Sequence, residues 1–117
     1  MTLIQSQLKP SSETFRQNHA HNLALCEQLA GQKASQRLGG GAKALARHTG
    51  QGKLFVRDRI ALLCDQGTPF LEVGLFAALG VYDDPVPAAG LVAGVGMVAG
   101  RPCMIVANDA TVKGGAY

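Results

Sequence analysis

Apolar positions recur along the chain in two rhythms. From Glu13 to Ala30 they sit three and four residues apart, with Leu25 and Leu29 on one face and Cys26 and Ala30 on another. That spacing predicts a helix. Ser11 or Ser12 can cap it, with Pro10 just before and Glu13 in the first turn. The pattern runs to about Ala30 and stops near Gly31, and Lys33 to Leu38 extends or restarts it. Gly39-Gly40-Gly41 then interrupts, because each glycine weakens helix propagation by about 1 kcal/mol. Ala42 to His48 is a second helical pattern, ended by Gly50 and Gly52. Arg57 to Asp65 is a third, with Ile60 and Leu63 inward and Gly67 to Pro69 closing it. Beyond it the rhythm shortens. Phe70 to Phe76 reads as a strand and Ala77 to Asp84 as a loop. Pro85 and Pro87 exclude helix interior around them. Leu91 to Ala99 is apolar on both alternating faces, the mark of a strand covered on both sides. Gly100-Arg101-Pro102 breaks it, and Cys103 to Ala107 is another apolar run. The two runs predict a hairpin. Its second strand delivers Asn108, Asp109, Thr111 and Lys113 to the sheet mouth, where a fold commonly places its chemistry.

Composition narrows the class. The chain has 117 residues, 47% of them hydrophobic and 16% charged, which fits one modest globular domain. Its fifteen glycines are about twice the usual ~7%, and most follow residue 38. No apolar run reaches the ~18 residues of a spanning helix. The N-terminus lacks the charge and apolar pattern of a secretory signal. A mitochondrial transit segment is thinly supported, since Met1 to Ala24 holds only Lys9 and Arg16 as strong bases.

The formal net charge is a mild +3, but it is unevenly placed. Lys33, Arg37, Lys43, Arg47, Lys53, Arg57 and Arg59 lie in one segment against Asp58 alone. Two readings stand side by side: a solvated helical face, or a surface that attracts nucleotide phosphates. Nucleic acid is disfavoured, because Phe55 is the one aromatic there and the chain has no Trp to stack on bases. Cys26, Cys64 and Cys103 are odd in number and widely spaced. They suggest neither a disulfide framework nor a metal site and read as small buried hydrophobes. His19 and His21 are two apart, so they form no i, i+4 metal pair and read as surface residues.

Two phosphate motifs fail on inspection. Gly50-Gln51-Gly52-Lys53 lacks the first glycine of a Walker loop, where Arg47 stands, and is followed by Leu54. Gly94-Val95-Gly96-Met97-Val98-Ala99 fits the loose dinucleotide fingerprint, but Gly100 and Pro102 follow where a helix is required. The better candidate is Asn108 to Tyr117. Gly114-Gly115 allows close approach of backbone to a ligand, Lys113 supplies a point charge suited to phosphate, and Asn108 and Asp109 can fix the loop by bonding backbone amides. An ordinary turn leaving the sheet has the same composition.

These residues also carry a resemblance. Gly39-Gly40-Gly41, His48, Gly52-Lys53-Leu54, Arg57-Asp58-Arg59-Ile60, Leu63, Tyr82-Asp83-Asp84, Val86-Pro87-Ala88-Ala89-Gly90 and Val106-Ala107-Asn108-Asp109-Ala110-Thr111-Val112-Lys113-Gly114-Gly115 occur in one order. Over Leu38 to Tyr117 the chain resembles the start of the carboxyltransferase (β) subunit of biotin-dependent acyl-CoA carboxylases, in the methylcrotonyl-CoA and geranyl-CoA branch. The family's other branch with a four-cysteine zinc ribbon does not fit three scattered cysteines.

The resemblance implies an α/β chain in which an N-terminal helical segment, 1–37, leads into the start of a crotonase-like superhelix of ββα units, 38–117. It implies a ligase component that moves a carboxyl group from carboxybiotin, presented by a biotin-carrying α subunit, to an acyl-CoA. No cofactor is bound directly, the β subunits form a homo-oligomer, and neither nucleic acid nor membrane is a partner. The location is the bacterial cytoplasm or the mitochondrial matrix. The resemblance makes Asn108 to Tyr117 a loop near the site. Candidate CoA contacts are Arg47, Lys53, Asp109, Lys113, Gly114 and Gly115, with no metal ligand. The family's oxyanion-hole glycines would fall after Tyr117, so the 117-residue chain alone is expected to be inactive. The alternatives are a small non-catalytic CoA- or nucleotide-binding module using Lys43 to Arg59, and a scaffold piece making oligomer contacts through the 11–30 helix.

Overall fold

The computed structural model describes residues 3–116. Three α-helices come first: α1 Glu13–Arg37, α2 Gly41–Gly50 and α3 Val56–Leu63. Three strands follow: β1 Leu71–Val73, β2 Leu91–Val98 and β3 Arg101–Asn108. The α/β class expected from the sequence is what forms. The chain divides into two compact units, Met1–Gln32 and Lys33–Tyr117.

In the first unit, Ser12 caps α1 as expected: the Phe15 N–H donates to its Oγ at 3.2 Å. Phe15 and His19 stack at 5.9 Å between ring centroids, and His19 and His21 are exposed. The expected stop at Gly31 does not occur. One glycine costs about 1 kcal/mol in a helix interior, too little to halt propagation through helix-forming neighbours. No residue of α1 is buried, so Cys26, expected to be a buried hydrophobe, is exposed instead.

In the second unit, the sheet has the order β1-β2-β3 with both pairings antiparallel. Leu71 faces Val95, and Leu91 faces Asn108. The hairpin is as expected, but its turn is Ala99-Gly100 and not 100–102: Arg101 and Pro102 already belong to β3, opposite Val98 and Met97. Both turn residues have positive φ, the conformation that matches the twist of paired strands. The strand expected over 70–76 shortens to three residues, because Gly74 turns at φ 75°.

The core lies between α3 and one face of the sheet. Phe55, Val56, Ile60, Val92 and Ile105 are its buried members, with Leu45 of α2, Cys64, Phe70, Cys103 and Ala107 packed against them. Leu63, expected inward, is half exposed at the rim of the core, lining a hollow with Ile60, Ile105 and Ala107. Beyond Val92, Gly94 and Gly96 present no side chain on the inner face of β2. A Cβ on Gly94 would lie 2.6 Å from the Phe70 ring, and one on Gly96 would lie 2.6 Å from the Cys64 sulfur. The pseudo-fingerprint is therefore a packing track for Phe70 and Cys64. The outer face is not covered as expected: Leu71, Val73, Met104 and Val106 are exposed there.

Candidate functional site

Two glycine-bearing segments meet at the open end of the hairpin. Val56 to Leu63 and the sheet form the floor, and Leu45 seats α2 on it. The turn that starts α2, Gly39-Gly40-Gly41, lies against the loop that leaves β3. Contact is so close that a Cβ on Gly40 would stand 1.8 Å from the Thr111 carbonyl oxygen, and one on Gly39 would stand 2.3 Å from Asp109 Oδ2. Only glycine fits both places.

Asp109 and Thr111 hold this junction. Both are buried. The Thr111 N–H donates to Asp109 Oδ1 at 2.9 Å, and the Thr111 hydroxyl donates to the same oxygen. The Gly40 N–H in turn donates to Thr111 Oγ1 at 2.9 Å. Asp109 is also fixed through its backbone, donating N–H to the Gly90 carbonyl at 2.9 Å. Among the described residues, Asp109 and Thr111 are the polar residues buried as a whole, and every buried side-chain polar atom there has a partner.

The six sequence candidates do not form one cluster. Arg47 lines a hollow of about 290 Å³ with Gly40, Lys43 and Ala44. Arg47 and Lys43 are one helical turn apart on the outer face of α2, both exposed. Lys53 is exposed in the α2–α3 connection. Asp109 is enclosed and bonded to its own loop. Lys113, at positive φ 47°, donates from Nζ to Asp84 Oδ2 at 2.9 Å and lines a second hollow with Tyr82, Asp83 and Val86. Gly114 and Gly115 follow with φ of 71° and 86°, and Gly115 packs on Ala110.

The basic run divides in the structure. Arg57 forks onto Glu72, with its two terminal nitrogens 2.9 and 2.8 Å from the carboxylate oxygens. Arg37 adds a longer contact of 3.5 Å to Glu72, and the Arg57 Nε–H donates to the Arg37 carbonyl. Those two arginines are committed to the fold. Lys43 and Arg47 are in no ion pair among the described residues. Sequence reading missed Lys43 as a partner of Arg47, although their i, i+4 spacing on a helix was a usable signal. Thr111 is among the polar residues expected at the sheet mouth, but its bond to Gly40, 71 residues away, has no local signal, and neither has the pairing of Asp84 with Lys113. A separate cleft of about 370 Å³ lies along α3, lined by Ile60, Cys64, Asp65, Phe70 and Val92 among others. No cluster able to hold a metal ion occurs among the described residues, and no helix there is long and apolar enough to cross a membrane.

The Carboxyl transferase domain family matches residues 47–117. The biotin-dependent 3-methylcrotonyl-coenzyme A carboxylase β1 subunit of Mycobacterium tuberculosis is 50% identical over 93 residues, covering 80% of this chain and 18% of that protein. The probable mitochondrial methylcrotonoyl-CoA carboxylase β chain of Drosophila melanogaster is 42% identical over 116 residues, covering 98% and 20%. Among solved structures, the geranyl-CoA carboxylase β subunit of P. aeruginosa is similar with a TM-score of 0.79 and 33% identity, over 96% of this chain and 21% of that one. The transcarboxylase 12S hexamer with methylmalonyl-coenzyme A bound is similar with a TM-score of 0.72 and 38% identity, over 78% and 18%. The chain thus spans about a fifth of the length of the curated relatives it matches. Its helices and meander are part of the crotonase-like fold of carboxyltransferase β subunits, and the chain belongs to the carboxyl transferase domain family.

Proposed function

We propose that this chain is part of a carboxyltransferase β subunit that moves a carboxyl group from carboxybiotin to an acyl-CoA, with 3-methylcrotonyl-CoA or geranyl-CoA as substrate. The carboxybiotin is presented by a biotin-carrying α subunit, and the β subunits work as a homo-oligomer in the bacterial cytoplasm or the mitochondrial matrix. In the branched, unsaturated substrates the reacting carbon is γ to the thioester. Removing its proton spreads charge to the thioester oxygen, and preorganised N–H donors stabilise that charge. The role given to this segment is substrate binding: Lys43 and Arg47 on α2 attract the phosphates at the nucleotide end of CoA.

The observation that carries this reading is the hollow beside Gly40, where Lys43 and Arg47 stand together without carboxylate partners. Charge-assisted contacts to phosphate are among the stronger polar contacts. The test uses the full natural polypeptide assembled with its biotin-bearing partner. Replacing Lys43 and Arg47 together by Gln should raise KM for the acyl-CoA about tenfold, the equivalent of about 1.4 kcal/mol. KM for the matching acyl-pantetheine, which lacks the nucleotide, should stay unchanged. An equal rise on both substrates would remove α2 from the CoA site. Absence of any carboxyl transfer by the natural assembly would leave a binding module as the function.

A further inference from the structure

The Asp109–Thr111 pair is more elaborate than packing requires. A buried contact between two backbone segments can be made by apolar groups at no polar cost, whereas a buried carboxylate is costly to desolvate. Here the carboxylate has a directional effect. A threonine hydroxyl has one proton and two acceptor lone pairs. Asp109 Oδ1 takes the proton, so the lone pairs must face the other way, toward the Gly40 N–H. Gly40 is the residue that precedes the first turn of α2, and that turn has no side-chain cap of its own. Thr111 therefore supplies from 71 residues away the polar anchor that the local sequence Gly39-Gly40-Gly41 lacks. Glycines at 39 and 40 let the backbones close to contact, so the position of α2 follows the position of the Thr111 hydroxyl.

We propose that Thr111, oriented by Asp109, is a positioning residue for the substrate: it sets where α2 presents Lys43 and Arg47, and so tunes affinity for the phosphate-bearing end of the acyl-CoA without touching it. This inference rests on the reading of the α2 face as a CoA contact. Lys43 lies three residues and Arg47 seven residues after Gly40 on the same helix. A small shift at the helix start is carried rigidly to both charges, which then miss phosphates that a salt-bridge geometry must meet closely.

The test again uses the full natural polypeptide with its biotin partner, assayed with acyl-CoA and with acyl-pantetheine. Thr111→Val keeps the shape and removes the hydroxyl. It should raise KM for acyl-CoA about fivefold, while kcat on both substrates and KM for acyl-pantetheine stay within about twofold. Thr111→Ser restores the hydroxyl and should restore KM. Asp109→Asn keeps one acceptor oxygen and should give a smaller rise of the same kind. If Thr111→Val gives no soluble subunit, Asp109→Asn carries the same comparison. An equal KM rise on both substrates, or a fall in kcat alone, would overturn the proposal, as would a Thr111→Ser variant no better than Thr111→Val. If the Lys43 and Arg47 replacements themselves lack the CoA-selective effect, the binding reading fails. If they show it and the Thr111 and Asp109 variants do not, only the positioning role fails.

Discussion

The β2–β3 hairpin carries an aspartate at each end, and the two do different work. At the closed end, Asp65 follows α3 and accepts the N–H groups of Ala99 and Gly100, one on each carboxylate oxygen, at 2.8 and 2.7 Å. Its own N–H donates to the Met97 carbonyl at 2.8 Å. It is half-buried and satisfies a turn in which Ala99 sits at φ 50°, a conformation that costs a non-glycine residue roughly 1 kcal/mol. At the open end, Asp109 is buried and spends its carboxylate on Thr111, which reaches Gly40. The first aspartate compensates local strain. The second fixes a distant helix that carries unpaired charge. The same side chain thus acts as a clasp where solvent is near and as a hinge pin where it is excluded.

That contrast can be broken most severely at Gly40. Gly40→Ala puts a methyl group into the Thr111 carbonyl, and the junction must separate. The expected loss in the full natural polypeptide is about 3 kcal/mol, the upper end for overpacking, read as a fall in Tm. An unchanged Tm would mean that the two segments do not meet as closely as described. Asp65→Ala removes two charge-assisted bonds that water can partly replace, so its expected cost is smaller, about 1.5 kcal/mol. It should leave KM for acyl-CoA unchanged, and a CoA-selective KM rise there would erase the distinction between the two ends. Asp84→Ala is the mildest. Its partner Lys113 and Asp84 itself are largely exposed, and such pairs contribute at most about 0.5 kcal/mol, less at high salt. A larger, salt-insensitive effect would place the 113–115 loop under stronger control than an exposed pair can exert.

Much of the architecture was legible because it rests on local chemistry. The hairpin followed from two apolar runs around a glycine, and α2 was bracketed by glycines on both sides. Ser12 capped as a serine in that position can. The phosphate motifs lack the context they need, and Gly94 and Gly96 have a packing reason instead. What failed depended on partners far along the chain. Leu63 reads as apolar and shares a side of α3 with Ile60, but nothing in its neighbourhood says how far along the helix the sheet reaches. Glu72 gave no sign that it would hold Arg57 and Arg37, which removed two bases from a segment that looked uniformly available. Asp109 read as a turn former, and it is one; its reach to Gly40 through Thr111 spans too much chain for any spacing rule.

The outer side of the sheet has a practical consequence for anyone handling the 117-residue chain by itself. Leu71 and Val73 on one edge strand and Met104 and Val106 on the other make an exposed apolar patch, and β3 pairs with β2 on one side only. Surfaces of this kind stick to one another and to free strand edges. A preparation of the short chain should scatter more light as it is concentrated and bind hydrophobic dyes, and charged detergent should reverse both.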